Sequence, residues 1–159
     1  MPYKESISSA TKVEYRHKKQ SGGSGQFGHV WLEIQPLPRG TGFEFDVKVV
    51  GGSVPREYIP SVEKGVRQSL SGGAVAGFPL VDLKATLVDG SSHSVDSSGV
   101  SFEIAGSRAL SKGVKEANPT LLEPILHAKI IVPDNYSGDI IGDLKGKRGK
   151  ILGMTPLGD

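Results

Sequence analysis

Residues 11–35 read TKVEYRHKKQSGGSGQFGHVWLEIQ. Val13 and Tyr15 alternate with Lys12, Glu14 and Arg16, the period-two pattern of a half-buried strand. The apolar face stops at Tyr15, and residues 16–20 are all polar or charged, so this strand is expected to project beyond its own core. Residues 21–28 form a glycine-rich loop. Val30, Leu32 and Ile34 then alternate against Trp31, Glu33 and Gln35, and the chain returns as a second strand.

The same periodicities extend outward from this pair. Phe43, Phe45, Val47 and Val49 give a third strand. Pro60 suits the first turn of a helix, where its missing N–H is not needed; Ile59, Val62, Val66 and Leu70 follow at helical spacing, and Gly72–Gly73 supply the stop. Val81, Leu83, Ala85 and Leu87 give a fourth strand, and a second polar loop runs from Asp89 to Ser98. Ser97 or Ser98 can cap the next helix, whose inner face is Phe102, Ala105, Ala109 and Val114. Asn118–Pro119 is a break. Beyond it the pattern predicts a strand over Leu121–Val132, a helix over Tyr136–Leu144 and a strand over Lys150–Met154. Such a strand–helix–strand unit cannot cover both faces of a sheet, so it is expected to be the first part of a larger domain in a longer protein.

Composition excludes several function classes. The 159 residues contain no cysteine, which removes disulfides, thiolate zinc sites and cysteine nucleophiles together. No apolar run approaches the roughly 20 residues that span a bilayer, and the N-terminus has no apolar signal core, so a soluble, cytoplasmic protein is expected. The formal net charge is only +2, but its distribution is uneven. Lys12, Arg16, Lys18 and Lys19 crowd one stretch, with His17; Lys145, Lys147, Arg148 and Lys150 crowd another. Two local clusters on a nearly neutral chain suggest two contact patches.

Three motifs invite a catalytic reading. Gly23 to Gly28 (GSGQFG) match the G-x-G-x-x-G spacing, but a dinucleotide loop follows a buried strand and opens a helix. Here a charged strand precedes it and a period-two strand follows. A hairpin connection or a thin loop for close RNA approach remains, since glycine has no Cβ to clash. Gly142 to Arg148 (GDLKGKR) superficially resemble a phosphate loop, but the glycines are one residue too close and no Ser or Thr follows the lysine. Cations compensating a helix C-terminus explain some of these lysines. Asp89 to Ser98 hold serine, histidine and aspartate together, yet a triad converges from separate elements around an oxyanion hole. His93 can instead donate or accept toward phosphates, riboses or base edges. His17, His29 and His127 read as packing or surface residues, and the histidine spacing suggests no metal site.

Arg16 to Gln35 (RHKKQSGGSGQFGHVWLEIQ) closely resemble the start of domain IV of bacterial elongation factor G, as do GGSVPREYIPSVEKG (51–65), DGSSHSVDSS (89–98) and ANPTLLEP (117–124). GDIIGDLKGKRGKILGM (138–154) resembles the start of domain V of the same family. The resemblance assigns residues 1–119 to a domain IV-like tip domain and 120–159 to the N-terminal part of domain V. It implies an α/β (α+β) fold: a two-layer sandwich with a left-handed βαβ crossover, against the usual right-handed preference, then an incomplete ferredoxin-like βαβ unit.

The resemblance also implies a function. In the family the two polar loops lie together at a tip that enters the small-subunit decoding site, meeting ribosomal RNA, tRNA and mRNA during translocation. Carried over by position, the first tip loop holds Ser21, Gly22, Gly23, Ser24, Gly25 and Gln26, with Gln26 the clearest side-chain contact. The second holds His93, Ser94, Asp96 and Ser97, and His93 corresponds to the tip histidine that archaeal and eukaryotic counterparts modify to diphthamide. Lys18 and Lys19 would flank phosphates and supply sequence-independent attraction, which suits a factor that must accept every codon. Lys147 and Arg148 match the basic helix end that faces the large subunit. No catalytic residue and no metal is implied for this segment. GTP and magnesium would belong to a ribosome-dependent GTPase domain elsewhere in the parent, with no cofactor here, no membrane and a monomeric working state.

Ser92 stands where the family commonly has an aromatic residue, Gly99 where it has glutamate, and Lys145–Gly146 where it has asparagine–serine. Glycine in a first helical turn weakens the helix by about 1 kcal/mol. These departures admit a divergent paralogue acting in ribosome recycling or protection. Two further rivals are a small-molecule kinase of related fold, which would require a helix after Gly28, and a passive RNA-binding module.

Overall fold

Val13, Val30, Leu32, Ile34, Leu83, Ala85 and Leu87 are all buried, and they occupy alternate positions on three neighbouring strands, so one face of a sheet is sealed. The computed structural model describes residues 3–20, 23 and 25–157. Its strands β1 (Lys4–Ile7), β2 (Thr11–Lys19), β3 (Gln26–Pro36) and β4 (Phe43–Val47) precede helix α1 (Ile59–Gly72). Strand β5 (Leu83–Ser91), helix α2 (Gly99–Glu116), strand β6 (Pro119–Leu122) and helix α3 (Ser137–Gly146) follow.

The main sheet has the order β2-β3-β5-β4. β2 and β3 are antiparallel from Thr11↔Ile34 to Lys19↔Gln26, and β3 and β5 are also antiparallel. β4 runs parallel to β5, so α1 is the crossover of a βαβ unit. α2 lies beside α1 and over β2 and β3, closing a two-layer α/β sandwich. Its core joins the strand residues to Val62 and Val66 of α1 and to Phe102, Ala105, Ala109, Leu110 and Val114 of α2.

The helices approach backbone to backbone. A Cβ on Gly65 would collide with the carbonyl oxygen of Glu103, and one on Gly106 would lie 2.6 Å from that of Val62. Two glycines that weaken helices locally are therefore what lets α1 and α2 close on each other.

β1 and β6 form a separate two-stranded ladder, Lys4↔Leu122 to Ile7↔Pro119. This corrects the expected strand over Leu121–Val132. Pairing stops at Leu122, no regular element covers 123–132, and Pro124 has no N–H to continue a ladder. Glu5 of β1 is only 2% exposed, yet it is well satisfied. Its carboxylate accepts from the amides of Ala74, Val75, Ala76 and Phe78 at 2.8–3.2 Å. Burial alone would raise its pKa; the four amide bonds outweigh burial and hold the carboxyl below its usual value. Gly73, at φ 63°, brings this loop around the carboxylate.

The chain divides into two compact units, 1–124 and 125–159. In the second, only the helix of the expected strand–helix–strand forms: α3 is present, but 150–154 is not a strand. Leu126, Ala128, Ile130 and Val132 still alternate, and with Ile140, Ile141 and Leu144 of α3 they line an apolar hollow of about 280 Å³. Alternation without a neighbouring strand leaves backbone groups unpaired, so the pattern yields an apolar face without a ladder. α3 ends in a Schellman motif: Gly149 N–H bonds Leu144 C=O (2.7 Å) and Arg148 N–H bonds Lys145 C=O (3.1 Å). Arg148 takes the left-handed position at φ 60°, where glycine is the usual choice.

Candidate nucleic-acid interface

The β2–β3 register ends at Lys19↔Gln26, so the two strands form a hairpin that closes beyond this pair. A strand, not a helix, follows Gly28, and the dinucleotide and kinase readings fail on that point. Lys18 and Lys19 are exposed at the end of β2. Among the described residues neither forms an ion pair. Ser21, Gly22 and Ser24 lie outside the described residues.

The second polar loop, which follows β5, is fastened to this hairpin. Phe27 N–H donates to Asp96 C=O at 3.0 Å, and Ser97 Oγ donates to Phe27 C=O at 2.9 Å. The centre of the Phe27 ring lies 6.3 Å from that of the His93 imidazole and 5.9 Å from the Arg16 guanidinium. Residues some 70 positions apart thus share one end of the sheet. Gly28 lets β3 lie against the first turn of α2, just beyond this loop: a Cβ there would sit 2.6 Å from the Ser101 carbonyl oxygen. Gly25 has the same role beside Asp96, whose carboxylate would meet a Cβ at 2.8 Å.

The second loop is closed on itself as well. His93 N–H donates to Ser97 Oγ (2.8 Å), and Ser97 N–H donates to His93 C=O (3.2 Å). The Nδ1 of His93 accepts from the amides of Val95 (3.3 Å) and Asp96 (3.2 Å). Ser97 therefore joins the loops, while its neighbour Ser98 caps α2 by accepting from Ser101 N–H at 3.2 Å. Tyr58 stacks on the buried Phe102 at 4.8 Å and donates its hydroxyl to Ser97 C=O at 3.2 Å, which ties the loop to the core.

Gln26, His93, Ser94, Asp96 and Ser97 are thus brought to one end together with Lys18 and Lys19. Their surroundings differ. The Gln26 Oε1 accepts from His17 Nε2 at 2.8 Å, and its amide nitrogen makes no hydrogen bond among the described residues. The imidazole of His93 is half exposed, and Ser94 is exposed. Asp96 is folded over Gly25 rather than turned outward. Lys147 and Arg148 belong to the second unit, where Lys147 Nζ pairs with Asp143 at 2.9 Å. Among the described residues no group of histidine and carboxylate side chains is placed to hold a metal, and no helix is long and apolar enough to cross a membrane.

His29, read from sequence as a packing or surface residue, has a structural task. Its Nε2 meets Glu14 Oε2 and its Nδ1 meets Ser91 Oγ, both at 2.8 Å. The spacing is that of a hydrolytic triad, but Ser91 sits in the ladder opposite His29 itself, so its backbone is engaged in the sheet. The three side chains form a strut across β2, β3 and β5 at the root of both loops. Register could have found this pairing, and also the one between His17 and Gln26; residue type alone could not.

The fold and this loop pair define a two-layer α/β domain that presents two joined polar loops at one end of its sheet. The family model for elongation factor G domain IV matches residues 1–118, and that for the elongation factor G C-terminus matches residues 120–159. The chain belongs to the elongation factor G family. It is also similar to a protein of known crystal structure from Thermus thermophilus, with 41% identity and a TM-score of 0.84, over 99% of this chain and 23% of that one. The chain therefore spans about a quarter of that relative's length.

Proposed function

We propose that the joined loops enter the decoding region of the small ribosomal subunit, where they meet the codon–anticodon helix and ribosomal RNA. In this reading the parent factor drives tRNA–mRNA translocation with GTP hydrolysis in another domain, and this chain supplies the wedge that blocks slippage back. The observation that supports it is the fastening of 25–28 to 93–97 at the end of the sheet that also carries exposed Arg16, Lys18 and Lys19.

The chemistry suits the task. Lys18 and Lys19 neutralise phosphates without reading sequence. The backbone at Gly23 and Gly25, the amide nitrogen of Gln26, and the side chains of His93 and Ser94 supply short-range polar contacts. Asp96 and Ser97 hold the loops in shape. No residue here makes or breaks a bond; GTP and magnesium are bound by the parent's other domains, and this chain needs no cofactor. It works as a monomer on cytoplasmic ribosomes, with Lys147 and Arg148 turned to the large subunit.

The departures at Ser92, Gly99 and Lys145–Gly146 favour a second reading, a paralogue that splits or protects ribosomes with the same tip. In the full-length factor, His93→Ala is expected to slow translocation about tenfold, the worth of one strong hydrogen bond, with ribosome-stimulated GTP hydrolysis nearly unchanged. Equal loss of both activities contradicts a tip role. A parent that splits subunits but does not translocate selects the second reading.

A further inference from the structure

We infer that His93 is preset as a hydrogen-bond donor: Nδ1 is the unprotonated nitrogen, the proton sits on Nε2, and the group this loop receives must be an acceptor. The inference rests on the proposed ribosomal role only for the identity of that acceptor, a phosphate or ribose oxygen of RNA.

A neutral imidazole has one donor and one acceptor nitrogen, and the bond made by one decides the state of the other. The amides of Val95 and Asp96 both converge on Nδ1, at 3.3 and 3.2 Å. An amide can only donate, so Nδ1 can only accept. The competing partner is the carboxylate of Asp96, whose Oδ2 is 3.6 Å from Nδ1 and outside hydrogen-bond range. Asp96 is held away, over Gly25, while its own amide turns to the ring.

The rest of the loop holds in place the residue that carries the ring. His93 N–H and C=O are both fixed by Ser97, Ser97 is fixed to Phe27, and the Phe27 ring lies beside the imidazole. Nε2 has no partner among the described residues. A flipped ring would set a C–H against two amide protons. The imidazole thus does two jobs: its inner nitrogen folds the turn, and its outer nitrogen is left as a donor. Phosphate and ribose oxygens fit such a donor; a ligand offering only N–H groups does not.

Two measurements test this. In long-range proton–nitrogen spectra of the chain labelled with 15N-histidine, at neutral to mildly basic pH, His93 should show a protonated Nε2 and a bare Nδ1. A protonated Nδ1, in the neutral or the cationic ring, overturns the inference. The second uses His93→Asn, whose side-chain oxygen can still accept from the amides two and three residues on, as in an Asx-turn, while its NH2 takes the place of the ring Cδ2 and stops short of where Nε2 donates. The Val95 and Asp96 amide resonances should stay near their positions while affinity for isolated small ribosomal subunits falls about tenfold. Undiminished binding by His93→Asn shows that the outer nitrogen is not used as a donor and overturns the acceptor assignment. If the unsubstituted chain does not bind these subunits at all, the ribosomal reading fails, and the spectra alone then decide the state of the ring.

Discussion

The chain has two cation-rich segments, and the fold treats them in opposite ways. At the end of β2, Lys18 and Lys19 point into solvent with no ion pair among the described residues, beside a loop pair fixed by backbone and side-chain bonds. Around 145–150 most of the cations have a place in the helix end itself. Lys147 bonds Asp143, Lys145 lies in the last turn of α3, and Arg148 holds the left-handed position that ends the helix. Equal charge on paper is therefore unequal in availability. A cation near a helix C-terminus interacts with the helix itself, whereas a cation on an overhanging strand leaves its charge for a partner.

The contrast can be broken most directly at its scaffold. Gly28→Ala would push a Cβ into the Ser101 backbone; destabilisation of about 1–3 kcal/mol is expected, read by urea unfolding, with β3 forced away from the first turn of α2 at the root of the second loop. A variant as stable as the parent would show that the loop end of the sheet does not need β3 this close to α2. Next in size, Lys18→Ala with Lys19→Ala should cost about tenfold in small-subunit affinity and make the salt dependence shallower by roughly 1.5 in log–log slope. Lys147→Ala with Lys150→Ala should change small-subunit affinity less than about twofold, as neither residue belongs to the unit that carries the joined loops. Equal effects of the two pairs would erase the distinction between the segments.

The smallest expected effect concerns acid. Glu5 has a folded pKa below its ordinary value of 4.5, so its contribution is fully present above that value and is lost as pH falls through 4.5 toward the folded pKa. Glu5→Gln should flatten the acid limb of the first unit's stability curve. An unchanged limb would mean that the amide nest does not titrate with folding.

The central strands and both long helices were legible because each carries one sealed face, and a sealed face imposes periodicity. Gly65 and Gly106 were not, since a glycine in a helical pattern looks like a local weakness until the partner helix is in place. β1 is four residues long and includes a buried glutamate, so no alternation announces it; its amide partners lie about 70 positions away. The opposite error arose at 123–132 and 150–154, where apolar residues suggested strands that no neighbour pairs. In the loops, residue types marked Gln26 and His93, but the His17 bond to Gln26 needed the register, and the amide clamp on His93 needed the turn. Ser97 and Ser98 were interchangeable on paper; geometry gave one to the loop and the other to the helix.

The most direct test uses the absence of native cysteine. Ser94→Cys places a tethered iron chelate at the joined loops, and Thr41→Cys places it beyond the opposite end of β3, an 11-residue strand roughly 35 Å long. With the chain bound to small ribosomal subunits, cleavage of decoding-region RNA is predicted from position 94 and not from position 41. Cleavage there from position 41 but not from 94, or equally from both, would contradict the account.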